Sequence, residues 1–350
     1  MIKIVHLVPR DAIGGVESAA RSMLNATGLQ CEFSLIFIEH EYPRMRNGGD
    51  SIPVLQSENN PIAHFRALKQ IISIKPNLLL CSLWRSVPAG IFFKLLRPRA
   101  KLVFFLHCPT TTHLLDRLFS KLMMCFCDAV WADSEATISS RVGTSQKFVK
   151  RVISFVTSSN PLEIKKNKLA PRFVFWGRLH YLKGLDRALN FIKLLIERDC
   201  SATFEIWGPD GGELSSLSLQ IERAGLKNTV MLKGTASPDN LDQIAEGNCF
   251  YLQLSRNEGM AMSVVEAMQR SLVPIVTAVG EIRAYCQQAH NAIVVNDPDH
   301  PKDAVDDVIA LLNDEAMYRR LQAAAHDHWA QYVLYKDDIC AAANELCKPS

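Results

Sequence analysis

Long apolar runs are missing from this sequence. A helix that crosses a bilayer needs roughly 20 consecutive apolar residues, and the nearest approach, residues 87–106, is interrupted by four basic side chains. The apolar start, residues 1–8, is too short for a secretory signal and leads directly into a patterned strand. We therefore expect a cytoplasmic protein that has neither a membrane-spanning segment nor a leader.

Metal-binding patterns are also missing. The ten cysteines are scattered, and Cys125 and Cys127 form a C-x-C pair without a second pair to complete a zinc site. His326 and His328 fall in a predicted helix, where we interpret them as part of a solvated face. We expect no metal site, and we expect the cysteines to be free thiols, as is usual in a reducing compartment.

A strong net charge is missing as well, since 39 basic residues oppose 36 acidic residues. The charge is nevertheless uneven, because residues 1–165 carry 20 basic and 12 acidic side chains whereas residues 166–350 carry 19 and 24. The basic first half is the better candidate for contact with an anionic partner or a membrane surface. The overall composition, 48% hydrophobic and 21% charged, excludes a disordered, collagen-like or coiled-coil protein.

Strands and helices alternate along the chain in two successive rounds. An apolar run at residues 2–8 is followed by a glycine turn and helical spacing, and the pattern restarts at residues 173–176 after a polar stretch at 160–168. Such alternation predicts a doubly wound parallel sheet in each half. Helical spacing continues through residues 301–346. We predict domains at residues 1–165 and 166–330, and a final helical segment, 331–350, that packs back on the first domain.

Glycines or cations follow the first strand of each half. Gly14 and Gly15 would let an anion approach the backbone at a helix N-terminus. They lack the G-x-G-x-x-G pattern of dinucleotide-binding proteins, and a plain tight turn explains them equally well. Arg178 and Lys183 follow the strand at 173–176, where two cations at the carboxyl end of a parallel strand suit a diphosphate. The alternative is an ordinary surface loop.

Two glutamates eight residues apart, Glu258 and Glu266, flank a segment of small residues. We expect Glu266 in the first turn of a helix over 264–270, and Glu258 in the loop before it. The N–H groups of residues 259–263 would then face an anion, while carboxylates accept hydrogen bonds from sugar hydroxyls. Taken alone, a solvated helix start explains this pair as well.

Together these segments resemble the GT-B nucleotide-sugar glycosyltransferases, and specifically the retaining group called family four. The likeness covers most of the chain and rests on GGVE at 14–17, VFFLH at 103–107, DAVWADSE at 128–135, FWGRLHYLKGLDRAL at 175–189, WGPDGGEL at 207–214 and EGMAMSVVEAM at 258–268. The fold implied by the resemblance is α/β, with two Rossmann-like doubly wound parallel-sheet domains that face each other across a cleft.

The resemblance also implies roles for individual residues. Arg178 and Lys183 would neutralise the diphosphate, Glu258 would hold hydroxyls of the donor sugar, and Glu266 would bind the ribose. His107 would lie opposite the anomeric carbon, unless it is an ordinary histidine at the end of a strand. The remaining donor contacts implied by the likeness are with Gly14, Gly15, Gly208, Gly234, Gly259, Met260, Ala261 and Met262.

Three positions depart from the family pattern. The family usually has glycine where Ala261 and Ser271 stand, and its interdomain N-G-[IV] turn is replaced by VTSSN at 156–160. None of these changes removes a charged residue. We therefore interpret them as drift within the family, and we regard Ala261 as a mild change.

The activity implied by the resemblance is retaining hexosyl transfer from a UDP-, GDP- or ADP-sugar to a hydroxyl of a glycan or lipid-linked acceptor. We expect no cofactor and no metal, because two cations already stand at the diphosphate. Such acceptors suggest the assembly of O-antigen, lipopolysaccharide or capsule. We expect no nucleic-acid partner. The alternatives are a nucleotide-sugar 2-epimerase, which needs no acceptor, and a non-catalytic sugar-binding relative.

A membrane patch is predicted on the first domain. Residues 113–126 have helical spacing that aligns Leu115, Leu118, Phe119, Leu122 and Phe126 on one face, with basic residues close to it. The basic residues of the predicted patch are Lys94, Arg97, Arg99, Lys101, Arg117 and Lys121. We expect this patch to hold the protein peripherally at the inner face of the cytoplasmic membrane. The alternative is a core helix beside a solvated loop.

Overall fold

The chain forms two compact units, as a computed structural model shows. One unit contains Met1–Thr157 and Val333–Ser350, and the other contains Ser158–Tyr332. The structure describes residues 1–12, 14–24, 26–40, 61–111, 114–143, 147–159, 163–164 and 168–348. His113 of the predicted amphipathic helix and most of the polar stretch 160–168, including Asn160 at the end of VTSSN, lie outside the described residues.

The first unit is built on a six-stranded sheet whose neighbouring strands are all parallel. Its strands are β1 (Ile2–Asp11), β2 (Cys31–His40), β3 (Leu78–Ser82), β4 (Lys101–Leu106), β5 (Ala129–Ala132) and β6 (Val149–Val152). They lie in the order β2–β1–β3–β4–β5–β6. The chain adds β2 on one side of β1 and the later strands on the other side, so the strand order reverses between β1 and β3, as in other doubly wound sheets. The helices between them are α1 (Gly15–Ser22), α2 (Pro61–Ile74), α3 (Val87–Leu96), α4 (Leu114–Phe126) and α5 (Glu135–Arg141).

The second unit repeats this architecture with a second parallel sheet. Its strands are β7 (Arg172–Trp176), β8 (Thr203–Trp207), β9 (Val230–Leu232), β10 (Phe250–Gln253), β11 (Val273–Val276) and β12 (Ile293–Val294), in the order β12–β11–β10–β7–β8–β9. The helices are α6 (Leu185–Glu197), α7 (Leu214–Arg223), α8 (Leu241–Glu246), α9 (Met262–Gln269), α10 (Ile282–Tyr285), α11 (Lys302–Leu312) and α12 (Glu315–His328). Two doubly wound parallel sheets confirm the predicted fold class.

The helical pattern over residues 301–346 is not one helix but three, since α11 and α12 are followed by a final helix, α13 (Tyr335–Leu346). The first break lies at Asp314, whose carboxylate accepts a 2.9 Å hydrogen bond from the N–H of Met317 and so begins α12. The helix α13 belongs to the first unit, where the N–H of Tyr335 donates to the carbonyl of Val156. Arg151 of β6 also forms an ion pair with Asp338 of α13.

A disulfide joins Cys31, at the start of β2, to Cys340 of α13, 309 residues further along the chain. The prediction of free thiols is therefore wrong for these two cysteines and holds for the other eight. The two sulfurs meet because β2 and α13 lie in the same unit, and this proximity has no signature in the local sequence.

The central strands of both sheets are buried on their two faces, including all four residues of β10 and all four of β11 in the second sheet. All five residues of β3 and all four of β5 are buried, as expected for parallel strands that are covered by helices on either side. In the part of the chain that the structure describes, no helix combines the length and the apolar character needed to cross a bilayer.

Two of the positions that depart from the family pattern have left-handed backbone. Ala261 has a φ of 55° and Ser271 a φ of 64°, a region in which a side chain with a Cβ is strained and glycine is not. Ala261 directly precedes α9, and Ser271 lies between α9 and β11. The change at Ala261 is therefore not mild, because this chain keeps the left-handed geometry with a residue that disfavours it.

Replacing Ser271 by glycine should stabilise the second unit. Among the residues that the structure describes, none forms a hydrogen bond with the buried hydroxyl of Ser271, so Ser271→Gly removes both an unsatisfied polar group and the strained Cβ. We expect a gain of about 1 kcal/mol, which raises the melting temperature by about 2–4 °C in calorimetry. Ser271→Ala serves as the control, since it removes the hydroxyl and keeps the strained Cβ. If Ser271→Ala stabilises the protein as much as Ser271→Gly, the left-handed backbone at residue 271 contributes nothing to the gain in stability.

Candidate active site

Lys183 and Glu258, both predicted to bind the donor, form an ion pair in the second unit. The Nζ atom of Lys183 lies 2.8 Å from Oε1 and 3.0 Å from Oε2 of Glu258, across 75 positions of sequence. Lys183 ends a short 3₁₀ turn after β7, and Glu258 lies in the loop between β10 and α9. The Glu258 side chain is only 9% exposed, so its charge needs the compensation that Lys183 provides.

Glycine at position 184 allows this pair to form. Gly184 has a φ of 64°, and a Cβ added to it would lie 1.9 Å from the carbonyl oxygen of Leu254. The turn that carries Lys183 therefore packs backbone to backbone against the end of β10. Arg256, two residues further, donates from its N–H to the carbonyl of Leu182 and closes the contact.

A second loop holds the backbone of Glu258 from the opposite side, and sequence analysis missed it. A Cβ on Gly280, which has a φ of 56°, would lie 2.1 Å from the carbonyl oxygen of Glu258. The N–H of Glu281 donates to the carbonyl of Gly259, and the Tyr285 hydroxyl donates to the carbonyl of Met260 at 2.8 Å. The loop predicted to bind the sugar is thus fixed through the carbonyls of Gly259 and Met260.

Glu266 lies one helical turn deeper than predicted. Helix α9 starts at Met262, so Glu266 is in its second turn and not in its first. The indole N–H of Trp176, at the end of β7, donates to Oε2 of Glu266 at 3.0 Å. Loss of solvent around this carboxyl raises its pKa, which is only partly offset by the bond from Trp176 and by the nearby charges of Arg270 and Lys183.

The other donor residues predicted in the second unit lie at the carboxyl ends of its strands. Gly208 follows β8, and its N–H donates to the carbonyl of Gly234, which follows β9, at 2.6 Å. Arg178 follows β7 and is exposed, and its side chain runs beside Gly211. This edge is where open parallel sheets usually bind ligands.

Gly14, Gly15 and His107 belong to the first unit, where Gly14 precedes α1 in an extended conformation that any residue adopts. His107 follows β4, and its Nε2 lies 2.8 Å from the hydroxyl of Ser82, whose oxygen is 2.7 Å from Nε2 of His6. Burial lowers the pKa of His6 to about 3 and that of His107 well below its usual value. His107 is therefore a neutral member of a buried polar chain at the end of β4.

Among the described residues, no group of three or more histidine, cysteine, aspartate or glutamate side chains is arranged to hold a metal ion. Arg178 and Lys183, the two cations predicted to meet the diphosphate, both follow β7 at the carboxyl-end edge of the second sheet. The arrangement can bind an anion beside Lys183 and accept hydrogen bonds from hydroxyl groups at Glu258.

Sequence comparison finds similarity chiefly in the second unit. Residues 158–328 match the family described as Glycosyl transferases group 1. The GDP-mannose:cellobiosyl-diphosphopolyprenol alpha-mannosyltransferase of Xanthomonas oryzae pv. oryzae (strain PXO99A) is 29% identical over 139 residues, which cover 39% of this chain and 36% of that protein. The corresponding Xanthomonas campestris protein is 29% identical over 140 residues, with the same coverage. The matched segment thus spans little more than a third of these curated relatives.

Solved structures show that the likeness in fold extends over nearly the whole chain. Anabaena HepE in complex with UDP-glucose has a TM-score of 0.77 at 16% identity, covering 99% of this chain and 98% of that one. The apo form of the lipopolysaccharide outer core galactosyltransferase WaaB has a TM-score of 0.67 at 16% identity, covering 98% and 99%. The fold is therefore GT-B, as the resemblance implied.

The raised pKa of Glu266 predicts a pH-dependent stability. Because the folded state holds this proton more tightly than the unfolded state, stability falls as pH rises from the ordinary carboxyl pKa to the raised value. Glu266→Gln should therefore gain melting temperature relative to the wild type as pH rises from about 4.5 towards neutrality. Differential scanning fluorimetry of both proteins across this range measures the difference.

Glu222→Gln provides a control of opposite sign. The ion pair with Lys227 lowers the pKa of Glu222, so this carboxylate stabilises the fold at neutral pH and loses that effect as pH falls. The Glu222→Gln variant should therefore lose melting temperature relative to the wild type as pH rises. A flat difference for Glu266→Gln would contradict the raised pKa.

Proposed function

Because residues 158–328 form a Glycosyl transferases group 1 domain within a GT-B fold, we propose that this protein is a retaining hexosyltransferase. It moves a sugar from a nucleotide-diphosphate sugar to a hydroxyl of a glycan or lipid-linked acceptor. The observation that carries the proposal is the ion pair of Lys183 and Glu258, because a lysine can bind phosphate and a carboxylate can accept hydrogen bonds from sugar hydroxyls.

The reaction breaks the bond between the sugar and the diphosphate, and negative charge grows on the leaving phosphate. Lys183 and Arg178 stabilise that charge, together with the N–H groups at the start of α9. Glu258 keeps Lys183 oriented before the donor arrives, and its carboxylate accepts hydrogen bonds from the sugar. These two cations stabilise the negative charge that a metal ion would otherwise stabilise, so we propose a reaction without metal or other cofactor.

Glu266 binds the ribose hydroxyls through the carboxylate oxygens that Trp176 leaves available. Burial keeps the pKa of His107 well below its usual value, so this residue is neutral and provides a fixed dipole instead of a titrating proton. The roles that the resemblance implies for His107, beside the donor sugar, and for Gly14 and Gly15, beside the diphosphate, remain part of the proposal.

We propose that the acceptor is lipid-linked and belongs to the assembly of lipopolysaccharide, O-antigen or capsule. The printed name of the Xanthomonas relatives gives them a diphosphopolyprenol acceptor and GDP-mannose as donor, and HepE was solved with UDP-glucose. GDP- and UDP-sugars are accordingly the first donors to test.

A lipid-linked acceptor requires access to a membrane, and the first unit has a surface that suits one. Helices α2, α3 and α4 lie side by side and expose nine large apolar side chains. This exposed helical face consists of Ile62, Phe65, Phe92, Leu95, Leu96, Leu114, Leu115, Leu118 and Leu122. We propose that it docks on an anionic bilayer, with the protein peripheral at the inner face of the cytoplasmic membrane.

The charges around the exposed helical face are those that an anionic bilayer attracts. The exposed charged residues on or directly after the three helices are all basic: Arg66, Lys69, Lys75, Arg99, Arg117 and Lys121. The one acidic residue within these helices, Asp116, is buried. Apolar side chains ringed by basic residues bind anionic membranes through insertion and charge together.

Part of the predicted patch does not belong to this face. Phe119 and Phe126 pack against the core of the first unit, although they share a helical stripe with Leu118 and Leu122. Lys94 donates to Asp128 at 2.7 Å and to two backbone carbonyls, so its charge is compensated within the protein. The exposed helical face therefore differs from the predicted patch. It includes apolar residues of α2 and α3 that the helical spacing in the sequence did not single out.

The two alternatives make different demands on the site. A nucleotide-sugar 2-epimerase would convert the donor without an acceptor, and a non-catalytic relative would bind sugar without turnover. The match to the Glycosyl transferases group 1 family favours transfer over epimerisation. The assembled pair of Lys183 and Glu258 favours an enzyme over a binding protein.

The role of Lys183 and Glu258 predicts opposite effects on binding and turnover. In Glu258→Gln the lysine loses its internal counter-charge, so UDP or GDP should bind as tightly as in the wild type or more tightly. Sugar transfer or donor hydrolysis should fall about 100-fold or more, because a charge-assisted hydrogen bond to the sugar is lost. Calorimetry gives the binding, and release of the nucleoside diphosphate gives the turnover.

Arg178→Ala is the companion variant, since it should weaken UDP or GDP binding while leaving the Lys183 and Glu258 pair intact. If neither nucleotide stabilises the wild type in a thermal-shift screen that also includes ADP and NAD, the diphosphate site is wrong. If Glu258→Gln keeps full turnover, the carboxylate does not hold the sugar.

The exposed helical face predicts binding to anionic vesicles. Phe92→Ser combined with Leu118→Ser should reduce co-flotation with vesicles of phosphatidylcholine and phosphatidylglycerol by more than tenfold, because each large apolar side chain contributes about 1.5–3 kcal/mol on burial. Leu219→Ser, at an exposed position of α7 in the second unit, is the matched control. Equal flotation of the wild type, the double variant and Leu219→Ser, or no flotation of the wild type at low salt, would contradict the proposed membrane docking.

A further inference from the structure

We propose that Gln253 is a positioning residue that orients the carboxylate of Glu258 for the donor sugar and ties it to the helix that carries Glu266. This inference rests on the proposed function and extends it to a residue that the sequence motifs do not include. Gln253 is the last residue of β10 and is completely buried.

The side-chain amide of Gln253 has polar partners at both ends. Its Nε2 donates to Oε1 of Glu258 at 2.9 Å and to the hydroxyl of Ser255 at 3.0 Å, so both amide N–H groups have an acceptor. Its Oε1 accepts from the hydroxyl of Ser263 at 2.9 Å. The same oxygen lies 2.9 Å from the hydroxyl of Tyr251, whose single proton is shared between it and the carbonyl of Trp176.

The orientation of this amide follows from the chemistry of its neighbours. An ionised carboxylate only accepts hydrogen bonds, so the NH₂ end of Gln253 has to face Glu258 and the oxygen has to face the two hydroxyls. A flipped amide would set its oxygen against the carboxylate of Glu258. The position therefore requires a side chain with a donor at one end and an acceptor at the other.

This arrangement makes the two oxygens of Glu258 unequal. Oε1 accepts from Gln253, from the Ser255 hydroxyl at 2.7 Å and from Lys183 at 2.8 Å, whereas among the described residues Oε2 is bonded by Lys183 alone. Three donors fix Oε1 in place and occupy its lone pairs. Oε2 is consequently the oxygen that keeps capacity to accept from a sugar hydroxyl.

The same amide connects the two halves of the glutamate motif. Ser263, which bonds Gln253, is in the first turn of α9, three residues before Glu266. On the other side, Tyr251 donates to the carbonyl of Trp176, whose indole bonds Glu266. The loop that carries Glu258 and the helix that carries Glu266 are therefore held in register through one buried side chain.

The experiment compares binding of a nucleotide sugar with binding of its nucleoside diphosphate. Calorimetry is carried out with UDP-glucose and UDP, and with GDP-mannose and GDP, on the wild type and on Gln253→Met, which keeps the volume and removes the hydrogen bonds. We expect the nucleotide sugar to bind about 10- to 100-fold more weakly in Gln253→Met, and the nucleoside diphosphate to bind as in the wild type within about twofold.

Gln253→Glu gives a readout that a merely structural role would not move. Its carboxyl would lie beside that of Glu258, and such a pair shares one proton at low pH and repels when both groups are ionised. With the proton in place, the new side chain still donates to Glu258. Binding of the nucleotide sugar should therefore be rescued at low pH and lost as pH rises, while the wild type shows no such loss.

Tyr251→Phe is the matched control, because it removes a hydroxyl from the same network and leaves every bond to Glu258 in place. Equal weakening of nucleotide sugar and nucleoside diphosphate in Gln253→Met would overturn the proposal and leave Gln253 as general support of the loop. Unchanged binding of both would overturn it too. If the wild type binds neither nucleotide sugar nor diphosphate, the proposed function itself fails, and this inference fails with it.

Discussion

The compensation of the Glu258 carboxylate is the constraint on which the second unit depends. A carboxylate that is 9% exposed is costly unless cations and hydrogen-bond donors surround it. Lys183 reaches it only because Gly184 lets the 3₁₀ turn pack against the end of β10. Gly280 lets a second loop pack against the backbone carbonyl of Glu258 itself. The glycines, the turn and the buried amide are therefore parts of one arrangement around a single charge.

The fold and the main charged residues of the site could be predicted from the sequence. Alternating apolar strands and amphipathic helices indicated two parallel sheets, because buried parallel strands are apolar throughout. Of the charged residues that the glutamate spacing and the cations after β7 singled out, the structure pairs Lys183 with Glu258, and their roles stay predictions. Such predictions succeed where residue type and chain position together determine the chemistry.

What could not be predicted depends on partners that are distant in sequence. In the sequence, nothing distinguishes Gln253 from other strand residues, and only the fold shows that its amide faces Glu258. The link between Cys31 and Cys340 spans 309 residues, and neither cysteine has a distinctive neighbour. The strand Val149–Val152 contains Lys150 and Arg151 at the edge of its sheet, so it lacks the apolar run that marks the central strands.

The bond between Trp176 and Glu266 has a consequence for how this family can vary. Removing either partner leaves the other polar group partly buried without its bond, which costs more than replacing both with apolar groups of matching shape. A change at one position alone should therefore destabilise the fold, whereas a joint change costs the fold less but also removes the proposed contact with the ribose. In related chains, positions 176 and 266 should therefore covary, so that the indole and the carboxylate are kept or lost together.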